Sequence, residues 1–155
     1  KTGRHFSLPT EEQWEYACRA GSTGPFWYGT LDSDFSPYAN FSDATHYTVY
    51  YPHVPTAHPA WRPADTRFDD TWRVAAPVGS FASNPWGLYD MHGNVGEWTA
   101  SDYFADGSTL TGNRKVVRGG SWLDTPRRGR SAFRLHYEAS QSVHDVGFRV
   151  VCDDL

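Results

Sequence analysis

Between Ser22 and about Arg73 the chain shows neither a helical nor a strand period, and no other feature limits its fold so strongly. Pro, Gly, Asp, Ser and Tyr are scattered through this stretch. A long irregular segment in a compact domain is unusual, and tends to be pinned by ligands or to carry function. Such a chain must build its core largely from loops. Aliphatic residues are sparse, while aromatics make up 16% of the 155 residues. Large rings bury much area even from an irregular segment. The length suits one domain with one core. With 14 Gly and 10 Pro, turns are frequent and long helices are disfavoured.

The regular elements are few. In "LPTEEQWEYACRAG", Thr10 is an N-cap and Gln13 stands three residues on, the spacing of a capping box. Trp14, Ala17 and Cys18 share one face and Gly21 is placed as a stop, which predicts a helix from about Glu11 to Arg19 that buries Trp14. "APVGSF" predicts a short strand ending at Phe81, and "RKVVRGGSW" a strand broken by glycines after Arg118. "SAFRLHY" and "VGFRVVC" also alternate, the latter with Phe148 and Val150 on one face. There is no internal repeat. The expected class is α+β, with one helix, short strands and much loop.

A net charge of -4 argues against nucleic acid or an anionic membrane as partner. The basic residues nevertheless cluster late, in "RRGR" from Arg127 to Arg130. No apolar run approaches membrane-spanning length and no signal peptide is present; "KTGRHFSLPT" reads as mid-domain sequence. Cys18 and Cys152 are the only cysteines. A bond between them would close nearly the whole chain, worth about 4 kcal/mol in the chain-entropy model. Two buried thiols acting as small hydrophobes is the other reading.

Two groups of oxygen donors stand out. Calcium takes six to eight oxygens from carboxylates and backbone carbonyls on flexible loops. In "GLYDMHGNVGEWT", Asp90 and Glu97 supply carboxylates, and the backbone turning at Gly93 and Val95 can aim carbonyls at the same point. An Asx-turn with a solvated Glu97 explains the same residues. In "ANFSD" and "FDDTW", Asn40, Asp69 and Asp70 are donors that a metal would draw together, or simply turn formers. The histidines offer less. His46, His53, His58, His136 and His144 show no i, i+4 helical pair, and neither His-x-His nor Cys-x-x-Cys occurs. Ser121 in "RGGSW" lacks the Gly-x-Ser-x-Gly spacing of a hydrolase nucleophile.

"LPTEEQWEYACRAG", "ANFSD", "APVGSF", "NPWGLYDMHGNVGEWT", "VVRGGSW", "RSAFR" and "VGFRVV" occur in that order. In these blocks, which cover nearly all of it, the chain resembles the formylglycine-generating enzyme family, also called sulfatase-modifying factor domains. The resemblance implies a C-type-lectin-like fold with little regular secondary structure. Family domains begin well upstream of the "LPTE" helix, so residues 1–155 are expected to be the C-terminal two-thirds of one domain, cut or completed by a second chain. The resemblance also implies two calcium sites. The first would use the Asn40 side chain, the Phe41 carbonyl, the Asp70 carboxylate and the Trp72 carbonyl. The second would use Asp90, the Gly93 and Val95 carbonyls, and Glu97.

The family's oxidases bind copper(I) through two cysteines after "GGS", the first three positions beyond the serine and the second five further on. Those positions hold Asp124 and Gly129 here. A carboxylate and a glycine do not replace soft thiolates, so no copper is expected there. The oxidases also carry a tryptophan where this chain has Gly96. The expectation is therefore a calcium-stabilised module without formylglycine-generating activity. Its former active-site groove would be lined by Gly96, Ser121, Trp122, Asp124, Arg127, Arg130 and Arg134, and would take an anionic or peptide ligand. The alternative is a non-heme iron or copper oxidoreductase, akin to the related ergothioneine synthases, using His136 or His144 with a partner's residues. Family members also join a cysteine at the Cys18 position to one in the last strand. That implies a Cys18–Cys152 disulfide and, with it, an exported protein.

Overall fold

The computed structural model describes residues 3–45, 63–104 and 110–153. His46, His53 and His58 lie outside them. Among the described residues the chain is α+β, with a nine-residue α-helix near its start, a four-stranded sheet, a two-stranded sheet and long irregular connections.

Strand β1 (His5–Ser7) leads into α1 (Glu11–Arg19), whose bounds match the sequence expectation. Thr10 accepts from the Gln13 N–H and the Gln13 side chain caps the Thr10 N–H, so two otherwise unpaired donors are satisfied locally. The left-handed stop falls on Ala20, one residue before Gly21, which also has positive φ. The Glu11 N–H donates to Ser101 Oγ and ties the helix start to the sheet.

The main sheet contains β2 (Gly96–Phe104), β3 (Leu110–Arg118), β4 (Leu135–Glu138) and β5 (Val146–Phe148), in the order β4-β3-β2-β5. β2–β3 and β3–β4 are antiparallel, and β5 lies parallel to β2 with Glu97 opposite Gly147. Val116 and Val117 point to opposite faces of β3 and both are buried, so this strand is covered on both sides. β6 (Val151–Asp153) pairs with β1 in the second sheet.

Two expectations need correction. "APVGSF" forms turns instead of a strand, with Gly79 at positive φ and the Ser80 N–H donating to the Pro77 carbonyl. "VGFRVVC" breaks into β5 and β6, which belong to different sheets. The break falls where Arg149 turns its guanidinium to Glu97, and it leaves Phe148 and Val150 exposed.

The core is aromatic and grows mainly from the irregular segment. Phe26, Phe35, Phe41 and Phe68 cluster around Ala39, with Tyr28 and Leu31 packed against them. Several ring pairs meet edge-on, as between Phe26 and Phe35 at 5.1 Å, an arrangement favoured by the ring quadrupoles, while Tyr28 stacks on Phe26. A second cluster joins Trp14 and Cys18 of α1 to Met91. Gly119, at φ 92°, lets the Trp14 ring approach its backbone closely.

Candidate functional site

In the first predicted set, Asp70 meets the backbone of both Phe41 and Trp72. Asp70 accepts from the Phe41 N–H at 3.1 Å and from the Trp72 N–H at 2.8 Å, so one carboxylate brackets both residues whose carbonyls were singled out. Asn40 is 0% exposed. Its amide nitrogen donates to the Val74 carbonyl and to Asn94 Oδ1, whereas its Oδ1 is buried without a hydrogen-bond partner. A lone buried amide oxygen is costly unless something donates to it or a cation meets it. Burial pushes the Asp70 carboxyl up to about 7, with Asp43 and Asp69 adding to the effect against the two N–H bonds.

The second set surrounds β2's first residues. Asp90, Val95 and Glu97 line one pocket of about 570 Å³ together with Arg149. Asp90 accepts from the Gly79 N–H through Oδ2, while its Oδ1 is also buried without a partner. Glu97 is more committed. Its Oε2 accepts from Trp14 Nε1 at 2.6 Å and from Arg149 Nε at 2.5 Å, and its Oε1 from Arg149 Nη2 at 2.7 Å. A carboxylate has about four lone-pair directions, so these bonds leave capacity for a further partner. Glu97 is thus neither solvated nor a lone turn residue. Gly93 does not line this pocket; its backbone lies against Asn40, where any side chain at 93 would overlap the Asn40 carbonyl.

Sequence reasoning missed the residue that joins the two sets. Asn94, at φ 64°, donates its N–H to the Asn40 carbonyl, and its side chain bonds both the N–H and the carbonyl of Ala76. Its carbonyl accepts from the Trp122 N–H. Asparagine tolerates the left-handed region better than most residues, which is the one signal "GNV" carried. Asp43 and Arg149 had no signal, because each acts only across long sequence separations. Among the described residues no three or more His, Cys, Asp or Glu side chains form a metal cluster. A cation here would depend on carbonyl and amide oxygens as well as carboxylates.

The groove predicted around Ser121 is not assembled as expected. Ser121 and Asp124 are buried and face inward. Ser121 Oγ donates its single proton to Asp145 Oδ2 at 2.7 Å and lies 3.2 Å from Asp124 Oδ2, which accepts from the Ser121 N–H. Burial raises the Asp124 carboxyl above its usual range, against the ion pair with Arg128. Gly96 opens no space: a Cβ there would sit 3.0 Å from Val117 Cγ1 and 3.5 Å from Val146 Cγ2. Trp122 is buried. The arginines separate. Arg127 borders a pocket of about 480 Å³ with Arg67, while Arg130 and Arg134 border another with Arg19.

Position 129 is filled from outside. A side chain on Gly129 would overlap the ring of the buried Phe41. The Gly129 carbonyl accepts from His92 Nδ1 at 2.7 Å, which leaves Nε2 to accept from the Cys18 thiol at 3.5 Å. Burial lowers His92 to about 4 and raises Cys18 to about 12, so the pair is neutral imidazole and protonated thiol.

The expected disulfide is corrected by this arrangement. No disulfide joins Cys18 and Cys152. Cys18 is enclosed by Met91, His92 and Ser131, whereas Cys152 is exposed on the two-stranded sheet. The two histidines considered as redox-metal ligands also lie in separate settings. His136 packs on Tyr103 with ring centroids 3.9 Å apart, and His144 sits beside Trp122 and Asp145.

Residues 1–154 match the model of the family described as sulfatase-modifying factor enzyme 1-like domain. The chain is similar to inactive C-alpha-formylglycine-generating enzyme 2 of Bos taurus, 32% identical over a 148-position alignment that covers 92% of this chain and 42% of that protein. It is similar to formylglycine-generating enzyme of Mus musculus, 29% identical over a 165-position gapped alignment that covers 96% of this chain and 39% of that one. Among solved structures it resembles PvdO from Pseudomonas aeruginosa, with a TM-score of 0.71, 29% identity, and coverage of 96% of this chain and 53% of that one. The chain thus spans about 40% of the length of these curated relatives.

Proposed function

The chain belongs to the sulfatase-modifying factor family, and on that premise we propose that it is a calcium-stabilised binding module that does not generate formylglycine. The observation that carries the second part is the Phe41 ring in the side-chain space of Gly129. A soft-metal site needs two thiolates brought together. Here one of the two positions holds Asp124, spent on Ser121 and Arg128, and the other has no room for any side chain. The kinship with a protein named inactive supports the same reading. His136, stacked on Tyr103, and His144, beside Trp122, lie in separate settings and lend no support to a redox-metal site.

Calcium is supported by donor chemistry. Asn40 and Asp70, with the Phe41 and Trp72 carbonyls, would hold one ion; Asp90 and Glu97, with the Val95 carbonyl, would hold the other. Asn40 Oδ1 and Asp90 Oδ1, one in each set, are buried oxygens without a hydrogen-bond partner, which a hard cation satisfies. The ions would neutralise carboxylates and pin loops that have few hydrogen-bonded strands of their own. The scarcity of regular structure among the described residues also supports the C-type-lectin-like description of the fold. Export loses its argument with the disulfide.

Two measurements test the proposal. Elemental analysis after equilibration with calcium is expected to find two equivalents per chain, and none would refute the calcium assignment. Incubation with copper(I) and a cysteine-containing sulfatase-type peptide is expected to give no formylglycine by mass spectrometry. Formylglycine above a no-protein control would refute the non-oxidase reading.

A further inference from the structure

Between the end of α1 and the segment following "RRGR" lies a pocket of about 320 Å³ bordered by Arg19, Arg130 and Arg134. We propose that this pocket binds an organic carboxylate, with Arg130 as the anion-binding group and Phe133 as the wall for the ligand's apolar part.

The argument starts from charge. Arg19, Arg118, Arg130 and Arg134 surround the helix face that carries Glu11, Glu12 and Glu15, which leaves an excess of positive charge in a chain that is acidic as a whole. Three of these arginines are committed to carboxylates. Arg19 bonds Glu15 and the Gly24 carbonyl. Arg134 holds Glu11 through two bonds of 2.7 and 2.8 Å. Arg118 is buried and bonds Glu15. Arg130 differs. Its Nε donates to the Arg127 carbonyl at 2.8 Å and its guanidinium lies over the Phe133 ring at 5.9 Å, but among the described residues it has no carboxylate. Its two terminal nitrogens therefore present an oriented fork of the kind that grips a carboxylate with two parallel hydrogen bonds.

The walls are fixed before any ligand arrives. Ser131 donates both its N–H and its hydroxyl to the Pro25 carbonyl, which locks the 23–25 loop against the segment carrying Arg130. The Phe133 N–H closes a turn on the Arg130 carbonyl. Pro25, Ala132 and Phe133 supply apolar surface beside the fork. A charged fork next to an apolar wall selects an anion joined to an apolar group over a free inorganic ion.

The inference rests on reading the chain as a binding module, yet it fails separately from it, because metal content and formylglycine production do not depend on this pocket. The test is a titration of the calcium-loaded chain with N-acetylphenylalanine and with its neutral amide, followed by NMR shifts of backbone N–H and arginine Nε–H resonances. Saturable binding of the acid, at least tenfold tighter than the amide and centred on Arg130 and Phe133, is expected. R130Q, an exposed substitution whose fold is checked by the same spectra, is expected to weaken the acid tenfold or more, while R127Q, on a different pocket, leaves it unchanged. Equal binding of acid and amide, no saturation, unchanged binding in R130Q, or equal loss in R127Q would each overturn the proposal.

Discussion

The buried Phe41 ring occupies the volume into which a side chain at Gly129 would project. The backbone is not the obstacle, since φ at Gly129 is -85°, a value any residue adopts. Packing alone demands glycine there. Gly129→Ala is therefore expected to lower stability by about 1–3 kcal/mol through overpacking, measured by chemical denaturation. Adding Phe41→Leu makes room, so the double variant should be more stable than the sum of the single effects. Strict additivity would show that the two residues do not compete for space.

Asn40→Ala removes the unpartnered Oδ1 together with an amide bonded to Val74. Calorimetric titration with calcium is expected to fall from two equivalents to one. Retention of two would mean that this oxygen is no ligand.

Arg149→Met leaves the buried Glu97 carboxylate with Trp14 Nε1 alone. In calcium-free buffer a loss of about 3 kcal/mol is expected, because an uncompensated buried charge costs more than the pair contributes. Trp14 fluorescence should change with it. A loss within about 0.5 kcal/mol, the range of ordinary surface substitutions, would show that Glu97 is solvated after all.

His92 titrates near 4 when folded, chiefly because burial penalises the imidazolium. The folded value lies below the unfolded one of about 6.5. Its contribution to stability is thus complete above about pH 6.5 and is lost as pH falls toward 4. Over that window it adds a slope of about 1.4 kcal/mol per pH unit. Denaturation at stepped pH should show the slope in the parent chain and a reduced slope in His92→Gln.

Alkylation separates the two cysteines. Native protein treated with iodoacetamide at pH 8 is expected to label Cys152 and spare Cys18, which is buried and protonated. Both should react after denaturation without reductant. Failure of both to react until a reductant is added would restore the disulfide.

Much of this was legible in the sequence where the governing interaction is local. Thr10 and Gln13 are three residues apart, so the capping box and the helix bounds followed from spacing alone. Asp70 and Asp90 belong to turns written in short motifs; Asp70 accepts from the Phe41 and Trp72 N–H groups, and Asp90 shares a pocket with Val95 and Glu97. The Ser121 groove was not legible. Whether Ser121 and Asp124 face solvent depends on Asp145, which reaches them from a distant segment. Val117 and Val146 close around Gly96 from neighbouring strands, a contact that nothing near Gly96 in the sequence announces.

The sequence by itself determined the helix and its cap, an aromatic core raised from loops, membership of the family, and the oxygen donors that make calcium chemically reasonable. These follow from residue type, short spacing and the order of motifs. Only the tertiary structure decided that Phe41 fills the space at Gly129, that Arg149 claims Glu97, that Cys18 and Cys152 stay apart, and that Arg130, unlike Arg19, Arg118 and Arg134, meets no carboxylate among the described residues. Each of these turns on which distant segment a side chain meets. Packing in a core as dense as a crystal leaves that choice to the whole chain and not to any stretch of it.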